Sequence, residues 1–367
     1  MKRLAYLVVF LLFTVLLAAC GDSFTSSSTP GPIDTTTAHS QSASTPSIMA
    51  IGNFKEYSLP QDNSGLMRPA IDHAGRIWFG EMSRNYLAVF DPHTQKFQQI
   101  TPPHGRFGIM GVEVAPDDTI WFAEQYANYI GHYFPTTGQF QTDSLSTLTV
   151  PDPSNAGKTL TLPAAPNDLA LDKHGNVWFT ELNAGAVGKL DPRSGNIQQY
   201  PLSAKTSAQS LNPYGVAVDR QGMVWFTESS TNHVGRLDPA TGQISYFTMQ
   251  GLAAPLMEIA GDPQGSIWIT SFSSGLLLSL NPTTGKFTPY YAPSSSGLYG
   301  LAITSTGQVW VTIAAENVIA HLDVAANRFI YYAIPTSGSL PLGVVIGANN
   351  TLWFTEAASN KVGMLRP

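Results

Sequence analysis

Gly175-Asn176-Val177-Trp178-Phe179-Thr180-Glu181 is one copy of a stretch that recurs seven times along the 367-residue chain. The others are Ile77-Trp78-Phe79-Gly80-Glu81, Ile120-Trp121-Phe122-Ala123-Glu124, Val224-Trp225-Phe226-Thr227-Glu228, Ile267-Trp268-Ile269-Thr270-Ser271, Val309-Trp310-Val311-Thr312-Ile313 and Leu352-Trp353-Phe354-Thr355-Glu356. All seven tryptophans of the chain lie in this motif, spaced 43, 57, 47, 43, 42 and 43 residues apart. A period in the low forties, rich in strand-forming residues, predicts an all-β propeller with seven four-stranded blades. Seven-fold use of one Trp fits packing between blades better than a stacking platform, which one site would need once.

Within a unit the pattern resolves into four short strands joined by turn chemistry. In the third, strand A is Asp168–Asp172, strand B runs from Asn176 to Glu181, strand C is Ala186–Leu190 and strand D is Asn196–Tyr200. Seven positions after each Trp stands Asn85, Asn128, Gly185, Asn232, Gly275, Asn317 or Asn360. Only Gly and Asn enter positive φ cheaply, so this position is expected to be left-handed in the B–C turn. The last unit ends on strand C, Lys361–Leu365, while Phe54–Pro60 reads as a strand D without its own blade. The N-terminal strand is therefore expected to complete the seventh blade and close the ring, covering edges that would otherwise pair with other chains. Two connections are long: Thr147–Val150 and Thr159–Leu162 read as an inserted hairpin, and Ser203–Pro213 as a polar extension. Both are D–A connections, on the face where the motif glutamates end strand B, and long loops on one face are where ligands are usually met.

The chain is 43% apolar and 12% charged, with 32 Gly and 26 Pro, as suits a β-rich protein with many tight turns. A net charge of -6 gives no basic surface for nucleic acid. Lys2 and Arg3 precede an apolar run from Leu4 to Leu17, and Leu17-Ala18-Ala19-Cys20 follows. This is the layout of an export signal, with a run short for a spanning helix. It resembles a bacterial lipobox, so residues 1–20 are expected to be a lipoprotein signal with Cys20 lipidated. Cys20 is the only cysteine, which excludes an intramolecular disulfide. Residues 21–50, rich in Ser, Thr and Pro, read as a disordered tether, and 51–367 as the propeller. The protein is expected to be exported, held to a membrane through the lipid alone, and monomeric.

Candidate site residues fall into three sets. Glu81, Glu124, Glu181, Glu228 and Glu356 end strand B in five blades. They are either a carboxylate ring for a hard cation such as Mg²⁺ or Ca²⁺, or acceptors of backbone hydrogen bonds in their own or the next blade. The second set breaks the repeat. Strand A opens with Gly111, Gly215, Gly300 or Gly343 in four blades, but with Arg68, Asp168 and Glu258 in the other three. Just before these stand Met67, Met110, Asn167, Tyr214, Met257, Tyr299 and Leu342. Arg68, Asn167, Asp168, Tyr214, Glu258 and Tyr299 are the candidate ligand-binding set, in a pocket for an amphipathic small ligand; plain plugging of the channel is the alternative. Third, His104 is the one histidine on a D–A connection of that face and could act as a base. The chain shows no Ser-His-Asp arrangement, zinc spacing or phosphate loop.

The repeated Asp-x-x-Gly-x-Val-Trp-Phe-Thr-Glu, with Asn-x-Val-Gly-x-Leu-Asp-Pro-x-Thr-Gly after it, resembles the virginiamycin B (streptogramin B) lyase family over about residues 54–366. The resemblance implies a seven-bladed propeller and, for the family's enzymes, Mg²⁺-assisted elimination that opens a cyclic depsipeptide lactone, with the metal as Lewis acid and a histidine as general acid or base. It places that histidine fourteen residues before a motif glutamate, where this chain has Met67, Met110, Asn167, Tyr214, Met257, Tyr299 and Leu342. It places a metal-binding Glu two residues earlier still, where this chain has Gly65, Gly108, Ala165, Asn212, Pro255, Gly297 and Leu340. Only the motif glutamate carries over.

The leading expectation is therefore a lipid-anchored propeller that binds a small-molecule, peptide or glycan ligand at the Glu-lined face without the family's chemistry. One alternative is a carbon–oxygen lyase or hydrolase that uses a bound cation and a different acid/base set, drawn from Glu258, Tyr214, His104 and Arg68. The other is a protein-interaction scaffold. Fold alone does not choose among them.

Overall fold

The computed structural model describes residues 48–105, 108–152, 154–155, 157–202, 211–249, 255–292 and 297–367. The expected signal segment, Cys20, most of the expected tether and Ser203–Ser210 lie outside them. Seven sheets, each built on four antiparallel strands, form the ring. Blade one is Leu66–Ile71, Ile77–Glu81, Tyr86–Asp91 and Lys96–Ile100; blade three is Pro166–Leu171, Val177–Glu181, Ala186–Asp191 and Asn196–Pro201. Blade seven takes three strands from the C-terminus, Pro341–Ile346, Leu352–Glu356 and Lys361–Arg366, and its outer strand from Asn53–Ser58. That outer strand pairs Asn53 with Arg366 and Ser58 with Lys361, so the ring closes as the repeat implied. The inserted hairpin also forms, Leu148–Pro151 against Thr159–Leu162.

The described residues begin three before the expected boundary at 51. Ile48–Ala50 adds a fifth strand to blade six, parallel to Arg328–Ala333, with Ala50 opposite Tyr332. Gly52 then passes so close to Leu365 and Tyr332 that a Cβ would stand 2.3 Å from Leu365 Cδ1. A side chain there would have to displace Leu365 and Tyr332 where the chain steps from blade six to blade seven.

Each part of the motif has a separate structural task. The tryptophans are at most 7% exposed. Four of them donate Nε1 to an aspartate that directly follows their own strand A: Trp78 to Asp72 at 2.8 Å, Trp178 to Asp172 at 3.1 Å, Trp225 to Asp219 at 2.7 Å and Trp268 to Asp262 at 2.8 Å. Where that aspartate is Ala115 or Thr304, a histidine of strand C lies over the indole instead: His132 on Trp121 at 3.7 Å between centroids, His321 on Trp310 at 4.8 Å. The Phe sits over a strand-C glycine; a Cβ at Gly235 would stand 2.0 Å from the Phe226 ring. Burying such a ring is worth roughly 1.5–3 kcal/mol.

The Thr ties blades together. Thr227 Oγ1 accepts from the Gly215 N–H at 3.0 Å and donates to the Met257 carbonyl of the next blade at 2.5 Å. Thr180, Thr270 and Thr312 repeat both bonds, each donating to the next inner strand, at Tyr214, Tyr299 and Leu342 respectively. Six of the seven B–C turn positions have φ between 56° and 65°, as expected; among these described residues Asn232 alone is not in the left-handed region.

Candidate functional site

Every strand A slips register near its start, between Leu66 and Pro69 in blade one and at the matching place in the other six. Such a bulge re-aims side chains, and here it affects the two unrepeated positions. Just ahead of it the backbone is left-handed at Gly65, Gly108, Ala165, Asn212, Gly297 and Leu340, with φ from 43° to 101°. The carbonyl at this position accepts from the B–C turn of its own blade, as Gly65 from the Met82 N–H at 3.1 Å and Leu340 from the Ala357 N–H at 3.1 Å.

Met67, Met110, Tyr214, Met257, Tyr299 and Leu342 meet in one cluster with Met82 and Ala357. None of these six is more than 6% exposed. Asn167, the seventh member of the layer, is fully buried, donates Nδ2 to the Tyr214 carbonyl at 2.9 Å and accepts from Gln125 Nε2 at 3.2 Å. The Tyr214 and Tyr299 hydroxyls share a hydrogen bond of 2.6 Å. Side chains from all seven blades are thus buried at this level of the ring.

Beside it the charged residues of blades one, three and five come together. Arg68 Nε lies 2.8 and 2.9 Å from the two Glu258 oxygens, and its Nη2 lies 2.6 Å from Oε1. Asp168 Oδ1 is 3.5 Å from Arg68 Nε, and its Oδ2 accepts from the Val216 N–H at 2.9 Å. The guanidinium also stands 5.0 Å from the centre of the Tyr214 ring. Burial pushes both carboxyls up and Arg68 draws both down; Glu258 is left at about 7. Burial also opposes the Arg68 charge, but Asp168 and Glu258 outweigh it and hold the group protonated. Glycine is needed in the intervening blades, since a Cβ at Gly215 would stand 2.5 Å from the Met257 carbonyl oxygen and one at Gly300 2.2 Å from that of Leu342. The six candidate ligand-binding residues thus gather at the ring centre, bonded mainly to one another.

One titratable group of the inner strands was missed in the sequence. Glu113, on strand A of blade two, is pushed up to about 8 by burial and by the charge of Asp168. Its position holds Ala70, Ala170, Ala217, Ala260, Ala302 and Val345 elsewhere, so a departure from the repeat was the available signal.

The five motif glutamates are all fully buried. Four of them accept from side chains of their own blade. Glu81 accepts from Gln99 at 2.6 Å, Glu181 from Gln199 at 2.9 Å, Glu228 from Thr231 at 2.7 Å, and Glu356 from Ser359 at 2.8 Å. Glu124 differs: both its oxygens are buried without a hydrogen-bond partner. Thr142 occupies the strand-D place of Gln99 and Gln199, and its hydroxyl meets His104 Nε2 at 3.0 Å. The His104 ring stacks on Tyr129 at 3.7 Å. Burial raises Glu124, Glu181 and Glu356 to about 7. Among the described residues no group of three or more His, Cys, Asp or Glu could hold a metal ion. The residues in place of the family's histidine and metal-binding glutamate are buried Met, Tyr, Asn and Leu, and Gly, Ala, Asn, Pro and Leu. They supply no carboxylate, so they do not fit a resident Mg²⁺.

The model of the virginiamycin B lyase family matches residues 17–209 and 205–367. Among solved structures, virginiamycin B lyase from Staphylococcus aureus is 22% identical, with a TM-score of 0.75 over 86% of this chain and 99% of that one. A streptogramin B lyase is 24% identical, with a TM-score of 0.74 over 86% and 97%. The extracellular domain of a hybrid two-component system from B. thetaiotaomicron shares the fold at 14% identity, with a TM-score of 0.65 over 86% of this chain and 40% of that one. No curated protein matches. The two family-model matches together run from the end of the apolar N-terminal segment to the last residue, and the chain belongs to the virginiamycin B lyase family.

Proposed function

We propose that this protein is a binding member of its family: an exported propeller, held to a membrane through a lipid on Cys20, that does not carry out metal-assisted ring opening. It takes a small-molecule, peptide or glycan ligand on the face bearing the D–A connections. The observation that carries this reading is the buried layer at the ring centre. The positions that would carry the reaction hold Met67, Met110, Asn167, Tyr214, Met257, Tyr299 and Leu342, at most 6% exposed. A catalytic base must reach the proton it removes, and these side chains reach one another. The acid/base candidates Glu258, Arg68 and Tyr214 are likewise engaged with each other or with Tyr299.

Ligand contact then falls to the rim above that layer. There Tyr126 is 55% exposed on a B–C turn, Leu160 is 38% exposed on the inserted hairpin, and His104 stacks on Tyr129. An aromatic and aliphatic surface beside the long loops suits an amphipathic ligand. The test is to incubate the full chain with a streptogramin B lactone and Mg²⁺, with and without chelator, and follow the product by mass spectrometry. Intact lactone is the expected result; chelator-sensitive ring opening would sink the proposal.

A further inference from the structure

The opposite face, formed by the A–B turns, carries a second departure from the repeat. Strand A ends in an aliphatic residue in six blades: Ile71, Val114, Leu171, Val218, Ile303 and Ile346. In blade five the residue is Gly261. Nothing local demands a glycine there. Its backbone is not among the left-handed positions, and an added Cβ would meet only Ile267 Cδ1 at 3.7 Å and Asp219 Cβ at 4.0 Å, ordinary contacts. What the missing side chain makes is a hollow of about 210 Å³ between the A–B turns of blades four, five and six.

Its chemistry is asymmetric. One wall is aliphatic, from Val218, Ile267 and Ile303. The two lining carboxylates are already committed to fixing their turns. Asp219 accepts from the Gln221 and Met223 N–H groups at 2.9 Å and from Trp225 at 2.7 Å; Asp262 accepts from the Ser266 N–H and from Trp268, both at 2.8 Å. The cation in the lining is Arg220, which reaches across from blade four and donates Nη1 to the Pro263 carbonyl of blade five at 2.5 Å. Arg220 is exposed, and with this as its one hydrogen bond its Nε–Nη2 edge has no protein partner among the described residues. This is the edge that takes a carboxylate side-on through two parallel hydrogen bonds.

We propose that the hollow at Gly261 is a binding site for a small carboxylate with a short aliphatic body, the carboxylate on the free edge of Arg220 and the body against Val218 and Ile303. The site is independent of the ligand face described above.

The test uses valerate as probe, with the full chain, by ligand-observed NMR titration. Arg220→Gln removes the charged fork, and Gly261→Val fills the hollow with the side chain that blade four carries. Valeramide is the neutral control. The expected result is saturable binding to the native protein, at least tenfold weaker for valeramide and for Arg220→Gln, and lost in Gly261→Val at an unchanged thermal midpoint. Absence of valerate binding to the native protein overturns the proposal, as does undiminished binding to Gly261→Val. Equal binding of valeramide overturns it as well, since the site would then not recognise a carboxylate. Should Gly261→Val not fold, Gly261→Ala and Arg220→Gln decide the same question.

Discussion

Strand B and strand A of each blade lie side by side, yet one repeats its residues and the other does not. Strand B carries Trp in all seven blades and Phe, Thr and Glu in five each. The indole is held by an aspartate in four blades and covered by a histidine in two, four of the Phe rings cover a glycine, four of the Thr hydroxyls tie two inner strands, and four of the carboxyls accept from their own blade. Strand A keeps its bulge in all seven blades but changes the residues on it, and the changes converge at the centre, where Arg68 meets Glu258 from 190 residues away. Repetition therefore marks architecture, and departures from it mark what is individual to this protein. Glu113, Gly261 and the Thr142 that replaces a Gln follow the same rule.

That contrast can be broken at several points. The largest effect is expected in strand B. Phe226→Ala removes a ring packed on Gly235 and should cost roughly 3–5 kcal/mol in urea unfolding; a cost under 1 kcal/mol would mean the motif is not structural. Next comes Thr227→Val, which keeps the shape but leaves the Gly215 N–H and the Met257 carbonyl without their partner. A loss of about 1–3 kcal/mol is expected by the same measurement.

Glu124 gives a pH-dependent test. Folded, it keeps its proton to about pH 7, against an ordinary value of 4.5. Above pH 4.5 the unfolded chain releases this proton and the folded chain retains it, so the group's favourable contribution is full below pH 4.5, is drained as pH rises to about 7, and is flat beyond. Glu124→Gln should flatten this part of the urea-midpoint profile. Thr142→Gln, which supplies the amide that Glu81 and Glu181 already have, should raise stability at neutral pH by about 1 kcal/mol. A profile unmoved by either substitution would refute the account of this carboxyl. The smallest effect is in the B–C turn: Asn85, at φ 56°, should tolerate Gly almost without change, whereas Ala should cost about 1–2 kcal/mol.

The ring was legible in the sequence because its determinants are local and repeated. The Trp period counts the blades, Phe54–Pro60 supplies the missing outer strand, and the extra length between Trp121 and Trp178 is the hairpin. What was not legible depends on how side chains from distant blades share one volume. No spacing rule says whether seven Met, Tyr, Asn and Leu side chains leave a pocket or close it. Nor does the sequence pair Arg68 with Glu258 rather than with solvent. The motif glutamates suggested two roles, and what separates Glu124 is Thr142 in the place of Gln99 and Gln199, and Ala127 in the place of Thr231 and Ser359. The strand Ile48–Ala50 was hidden because three residues in a Ser- and Thr-rich context carry too little pattern.

The central claim, that the unrepeated residues of strand A form a buried centre held by the Arg68–Glu258 pair, is tested most directly by a double-mutant cycle on Arg68 and Glu258. Arg68→Met and Glu258→Met each leave a buried charge without its main partner and should each cost about 3–5 kcal/mol in urea unfolding, while the double substitution should return to within about 1 kcal/mol of the native protein or exceed it. Single costs below 1 kcal/mol that simply add would mean that water reaches both groups and that the centre of the ring is open.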